Sequence, residues 1–271
     1  MSLFGLVALA PGVALAQGAP PPYVVTIVAG HGGNDPGAIF PPDAGRPLLM
    51  EKDLTLPIAL KLRDRLLADD VQVVMTRTAD VTTSGEQRAA MAERAGAKVF
   101  VAVHVNSYYP DPSVRGVEAQ YFSDPALAGG VADGLVLSLR DFQETVRTSK
   151  DREQDNILSM PGVIVEAGYL SNAADRELLQ TEAFQNAVAD GIYQGILTYA
   201  PEIDDLKAQI AAYKLEQAKA RAAQQAAPPG WLGTAGIGAG LGIALLLARQ
   251  RARRRLRSLR RRPAYGVVRY R

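Results

Sequence analysis

The sequence predicts an α/β domain: a single central, twisted, mostly parallel sheet with helices on both faces. A C-terminal spacer helix and one transmembrane helix extend it. Three observations predict this. Between residues 23 and 200, apolar runs of strand length alternate with segments of helical period. Three of those runs end on a side chain able to bind a metal or move a proton: His31, His104 and Glu166. In open α/β sheets, sites are built at the C-terminal edge of the strands. Finally, residues 231–248 (from Trp231 to Ala248) contain no charge and are followed at once by an arginine-rich tail.

The amino-terminal stretch, residues 3–16, is apolar and ends in Ala14-Leu15-Ala16. That is the pattern of a secretory signal peptide, although no Lys or Arg precedes it. Residues 18–22, Gly-Ala-Pro-Pro-Pro, form a stiff linker, so residues 1–22 stand as leader and linker. The domain then spans 23–200. Its first strand, 23–28, runs into a glycine turn carrying His31, and a loop rich in Gly, Pro and Asp continues to Met50. A helix is expected over 55–69, capped by Thr55 with Pro57 in its first turn, burying Ile58, Leu62 and Leu66. A strand follows at 71–75, a helix at 85–95, and the strand that ends on His104. The alternation in 116–122 predicts another strand, and 125–142 a helix despite its glycines. The polar segment 143–156 is expected to be a loop. The strand 163–166 and the amphipathic helix 181–199, with Phe184, Val188, Ile192 and Ile196 on one face, complete the domain.

Beyond Pro201 the composition changes. Residues 201–230 hold a spacer helix (Ile203, Leu206, Ile210 and Tyr213) and a Pro-Pro-Gly break. Residues 231–248 span about 27 Å as a helix, close to the roughly 30 Å hydrocarbon core. The tail, 249–271, has 11 arginines and no acid. Positive-inside logic places it in the cytoplasm, against anionic lipid headgroups, with the domain outside. The other 248 residues then set 28 acidic against 19 basic side chains. An acidic domain repels phosphate, which excludes a nucleic-acid-binding core. The absence of cysteine excludes thiolate metal sites, cysteine nucleophiles and disulfides.

Any metal must therefore be held by His, Asp or Glu. The chain has two histidines, His31 and His104, both at strand ends. With one carboxylate they complete the three-ligand set of a hydrolytic zinc site, which leaves a position for water. Asp35, Glu51 and Asp53 are candidates for that carboxylate, and their spacing does not separate them. Glu166 lies inside an apolar strand, where a charge is costly unless used or paired, and suits a general base beside a metal.

Six ordered blocks then point to a family. They are residues 30–37 (Gly-His-Gly-Gly-Asn-Asp-Pro-Gly), 51–56 (Glu-Lys-Asp-Leu-Thr-Leu), Thr76-Arg77-x-x-Asp80, Val103-His104-Val105-Asn106, Gly116-Val117-Glu118 and the run from Val165-Glu166 to Ser171-Asn172. Together they resemble the zinc-dependent N-acetylmuramoyl-L-alanine amidases with an AmiC-like catalytic domain. The resemblance implies one zinc ion on His31, Glu51 and His104, with Glu166 as the catalytic glutamate. It also implies peptidoglycan as substrate, cut between muramic acid and L-alanine in the cell envelope. Two other classes compete: a catalytically silent, membrane-anchored wall-binding protein, and a zinc peptidase acting within the stem peptide. One departure from the pattern concerns the metal. Val28-Ala29 stand where the family has Asp-Pro, removing a carboxylate that would orient a ligand histidine. The sequence names no protein activator.

Overall fold

A computed structural model describes residues 18–43, 45–150 and 158–226. The expected leader at 3–16, the apolar span 231–248 and the arginine tail lie outside the described residues. No helix among the described residues is long and apolar enough to cross a membrane.

Chain order gives β1 (Val24–Ala29), the short strands β2 (Ile39–Phe40) and β3 (Leu49–Met50), α1 (Glu51–Ala68), β4 (Gln72–Met75), α2 (Gly85–Ala95) and β5 (Val99–Asn106). β6 (Val117–Tyr121), α3 (Pro125–Ser138), a 3₁₀ turn (Arg140–Phe142), β7 (Val146–Lys150), β8 (Gly162–Tyr169), α4 (Ala173–Leu179), α5 (Glu182–Tyr199) and α6 (Glu202–Ala226) follow. Six strands form one sheet in the order β4-β1-β5-β8-β6-β7. The four from β4 to β8 are parallel; β6 runs antiparallel to β8, and β7 parallel to β6. The expected α/β sheet, mostly parallel, is therefore present.

The central strands are buried along nearly their whole length, which is why they read as continuous apolar runs. On one face, odd-numbered residues such as Val101, Val103 and Val163 join Ile58, Leu62, Leu66, Val131 and Ile192 in the main core. The glycines of α3 and α5 let these helices touch. A Cβ on Gly134 would lie 2.2 Å from the Gly191 carbonyl. On the other face, Val28, Phe100, Ala102 and Ile164 pack with Ala92 of α2 in a smaller cluster.

Two expectations fail in informative ways. The segment expected to be a loop at 143–156 contains β7, an edge strand with only Val146 packed against the core, so its exposed polar side chains hid it. The helix expected from Thr55 begins at Glu51. Met50 is its N-cap without a side-chain bond, and Pro57 lies inside the helix rather than in its first turn. Thr55 instead donates from Oγ1 to the Gly30 carbonyl at 2.8 Å, which ties the helix to the glycine turn. This early start matters: it puts Glu51 on the first residue of α1, aimed at the sheet edge.

α2 carries the capping box that its Ser84 and Gln87 allow. α5 starts after Thr181, whose hydroxyl accepts from the Phe184 amide. Ile203 and Leu206 of α6 are buried in the domain's main core. The first compact unit runs through Tyr213, and the described part of the second is the remainder of α6.

Candidate metal centre

His31 follows β1 in the left-handed region at φ 60°, an unusual backbone for a non-glycine residue and one that clusters at functional sites. A clamp holds this turn in place. The buried Arg77 donates to the carbonyls of Ala29 (2.9 Å), Gly30 (2.9 Å) and Lys52 (2.8 Å). Asp80 accepts from the Gly33 amide at 2.6 Å and from Lys52 Nζ at 2.8 Å. The start of α1 and the glycine turn are thus one piece. Two glycines have no substitute here. A Cβ on Gly30 would lie 2.7 Å from the His104 ring, and one on Gly37 (φ 65°) would lie 2.5 Å from both Glu51 and His31.

His31, Glu51 and His104 converge, their donor atoms all within 4.8 Å of one another. Glu51 lies between the two rings: Oε2 is 3.0 Å from His31 Nε2, and Oε1 is 2.9 Å from His104 Nδ1. The rings meet edge to face with centroids 5.0 Å apart. Glu51 is buried and also accepts the amides of Ala38 and Val105, each at 2.9 Å. Burial pushes its carboxyl up, but the bonds and charge of His104 and His31 outweigh this and hold it down at about 2. Its place in the first turn of α1 also favours the anion.

Of the three candidate carboxylates, only Glu51 enters the cluster. Asp53 is exposed on α1. Asp35 stands behind His31, its Oδ2 2.8 Å from His31 Nδ1, while its Oδ1 accepts the Gly37 amide. Burial pulls the His31 imidazole down, but bonds to Glu51 and Asp35 and their charge raise it above its ordinary value.

Glu166 is paired in register with His104 on adjacent parallel strands, and Glu118 of β6 stands opposite Glu166. Paired residues share a sheet face, so His104, Glu166 and Glu118 line one face across three strands. Sequence reasoning assigned no role to Glu118, to the Arg77 clamp or to the Asp35 support. Glu118 and Arg77 were visible only as members of the ordered blocks, and Asp35 was read as a candidate ligand rather than as a support.

Two imidazoles and one carboxylate form a hydrolytic zinc donor set, which leaves a position for water. The cluster is consistent with a single metal site. The N-acetylmuramoyl-L-alanine amidase profile, Amidase_3, matches residues 25–198, nearly all of the sheet and its helices. The chain belongs to the Amidase_3 family. Its reaction is hydrolysis of the amide between N-acetylmuramic acid and L-alanine in peptidoglycan.

Similar proteins agree. The germination-specific N-acetylmuramoyl-L-alanine amidase of Bacillus subtilis is 30% identical over 200 residues, covering 67% of this chain and 81% of its own. Among solved structures, AmiC2 of Nostoc punctiforme is 35% identical, with a TM-score of 0.61, covering 66% of this chain and 97% of its own. The catalytic domain of CwlV from Bacillus (Paenibacillus) polymyxa var. colistinus is 33% identical, with a TM-score of 0.60, covering 66% and 98%. In the amidase, the matched region carries every member of the site described above.

Proposed function

We propose that this amidase is a zinc hydrolase in which His31, Glu51 and His104 hold the metal and Glu166 is the catalytic base. The observation that supports this reading is the strand register of Glu166, paired with His104, which is itself one of three clustered donors. A zinc ion bound there supplies a Lewis acid that polarises the scissile carbonyl and acidifies water. The protein does the rest. Glu166 takes the proton of the attacking water and delivers it to the leaving amine of L-alanine. Glu51 stays anionic throughout, fixed by the Ala38 and Val105 amides, so it contributes charge rather than protons. Asp35 holds the His31 ring by Nδ1 and leaves Nε2 facing Glu51.

A peptidoglycan amidase works in the extracytoplasmic cell envelope, and the flanking segments suit that location. In this reading residues 1–22 are export leader and linker, and 23–200 the catalytic domain. Residues 201–230 are the spacer, 231–248 the membrane anchor, and 249–271 a cytoplasmic tail on anionic lipid headgroups. The uncharged span and the 11 arginines after it support the anchor.

The deciding experiment is a digest of purified peptidoglycan read by mass spectrometry, with and without a chelator. Intact stem peptides with a free L-alanine amine, lost on chelation and restored by zinc, are expected. Stem peptides cut internally would replace the amidase with a peptidase. No release by zinc-loaded protein would leave a wall-binding protein.

A further inference from the structure

Arg88 of α2 is half-buried beside the metal centre, and among the described residues it has no carboxylate within ion-pair distance. Its one hydrogen bond among the described residues runs from Nε to Thr83 Oγ1, at 3.2 Å, which leaves both terminal nitrogens available. The two buried cations among the described residues are committed: Lys52 is paired with Asp80, and Arg77 is bound to carbonyls. A guanidinium partly withdrawn from water with its two terminal nitrogens unbonded suits an anion that arrives with the ligand.

The surroundings say which anion. Arg88 and His104 line the same cleft between α2 and the sheet, and its other walls include Ala89, Phe100, Ala102 and Ile164. Asp35 and Glu51 are near enough for their charge to act on Arg88, yet both carboxylates are held by the histidines. The substrate narrows the choice further. Forming the scissile amide consumes the only carboxyl of muramic acid, so nearby carboxylates belong to the stem peptide. The second stem residue, D-glutamate, is linked through its γ-carbon and keeps a free α-carboxylate, about two residue lengths, roughly 7 Å, from the cut.

We propose that Arg88 reads the stem peptide: its guanidinium binds the free α-carboxylate of the D-glutamate next to L-alanine, while the apolar walls take the alanine methyl. This assigns a specificity subsite and rests on the amidase reading. It implies that amidation of that carboxylate to D-isoglutamine, which removes the charge and half the acceptor capacity, makes a poorer substrate.

The test uses the full-length zinc-loaded chain and two synthetic substrates, N-acetylmuramoyl-L-alanyl-γ-D-glutamyl-L-lysinamide and its D-isoglutaminyl counterpart. The wild type is expected to favour the acid by about ten-fold in kcat/KM, mostly through KM, the scale of one charge-assisted pair. In Arg88→Gln the ratio of the two falls to near one, and Arg88→Lys, which keeps the charge but not the fork, lies between. Direct titration of the two free tripeptides measures the same preference without turnover. A wild type that does not discriminate, or an Arg88→Gln that weakens both substrates equally, overturns the subsite. If Arg88→Gln shows no cooperative melting transition, the Arg88→Lys ratio decides. If neither substrate is cut, the amidase reading fails, and tripeptide binding still decides for or against Arg88.

Discussion

Two buried carboxylates near one sheet edge show how differently the same device is used. Glu51 accepts one backbone amide on each oxygen, from Val105 and Ala38. Asp175 accepts two on a single oxygen, from Tyr169 at 2.9 Å and Gly116 at 3.0 Å. Each is thus fixed by main chain. What completes them differs: Glu51 is flanked by two imidazoles, Asp175 by the Arg115 guanidinium 3.3 Å from its other oxygen. A guanidinium offers only donors and a permanent charge. An imidazole nitrogen can give up its contact to carry a metal. Backbone amides therefore mark a carboxylate as positioned, and the remaining partners mark whether it serves structure or chemistry.

The strongest way to break that comparison is to strike the chemical cluster alone. His104→Ala is expected to lose both bound zinc and activity. Glu166→Gln is expected to keep zinc and lose turnover by about 10²–10⁴-fold, the range for a missing general base. Metal content by plasma emission, taken alongside the rate, separates the two. A Glu166→Gln protein that turns over normally would remove Glu166 from the mechanism.

The converse strike is at Asp175. Asn in its place can still accept the Tyr169 and Gly116 amides through Oδ1, but it then turns an NH2 donor toward Arg115 and removes one of the two carboxylates on that guanidinium. Arg115 is solvent-exposed, so the loss is that of hydrogen bonds to a charged acceptor, about 1.5–3 kcal/mol, which lowers the melting temperature by several degrees, at about 2–4 °C per kcal/mol. Zinc content per folded molecule should not change. If Asp175→Asn lost zinc at constant fold, the two carboxylates would be one functional unit and the distinction would fail.

Asp35 sharpens the boundary, because it touches the site only through His31. Asp35→Asn keeps a hydrogen-bonding group but loses the charge behind the ring. Such outer partners are worth about 10–100-fold in metal affinity. A competition titration with a chromogenic chelator reads this directly, and unchanged affinity would make Asp35 a loop support only.

How much of this was legible in sequence depended on burial. The central strands are enclosed on both faces, so their apolar runs were plain, and with them His31, His104 and Glu166. β7 was hidden because an edge strand needs few apolar residues, and only Val146 reaches the core. The start of α1 was misplaced because Thr55 has the chemistry of a cap yet spends its hydroxyl on the Gly30 carbonyl, across the chain. The same cause left Glu51, Asp35 and Asp53 equivalent. Choosing among them needs the long-range meeting of α1 with β5, which no local pattern records. Arg88 was invisible for a related reason: what sets it apart is that, among the described residues, no carboxylate pairs with it in three dimensions.

The smallest effect is in pH, and it isolates the cluster from the rest of the fold. In metal-free protein the Glu51 carboxyl is depressed from 4.5 to about 2, so its contribution to stability is complete above pH 4.5 and is lost as pH falls toward 2. The His31 imidazole is raised from 6.5, so its contribution is complete below pH 6.5 and is lost as pH rises through the folded value above that. The two windows overlap between pH 4.5 and 6.5, where the ion-paired cluster should stabilise the apoprotein most. Melting temperatures of chelator-treated wild type should peak there by a few degrees, about 2–4 °C for each kcal/mol. Glu51→Gln, which removes one partner and leaves the other without its main support, should flatten that peak. With zinc restored, the imidazole nitrogens carry metal instead of protons, and the loss above pH 6.5 should disappear. A metal-free profile that matches the zinc-loaded one would mean that the cluster does not gain stability by pairing protons in place of metal.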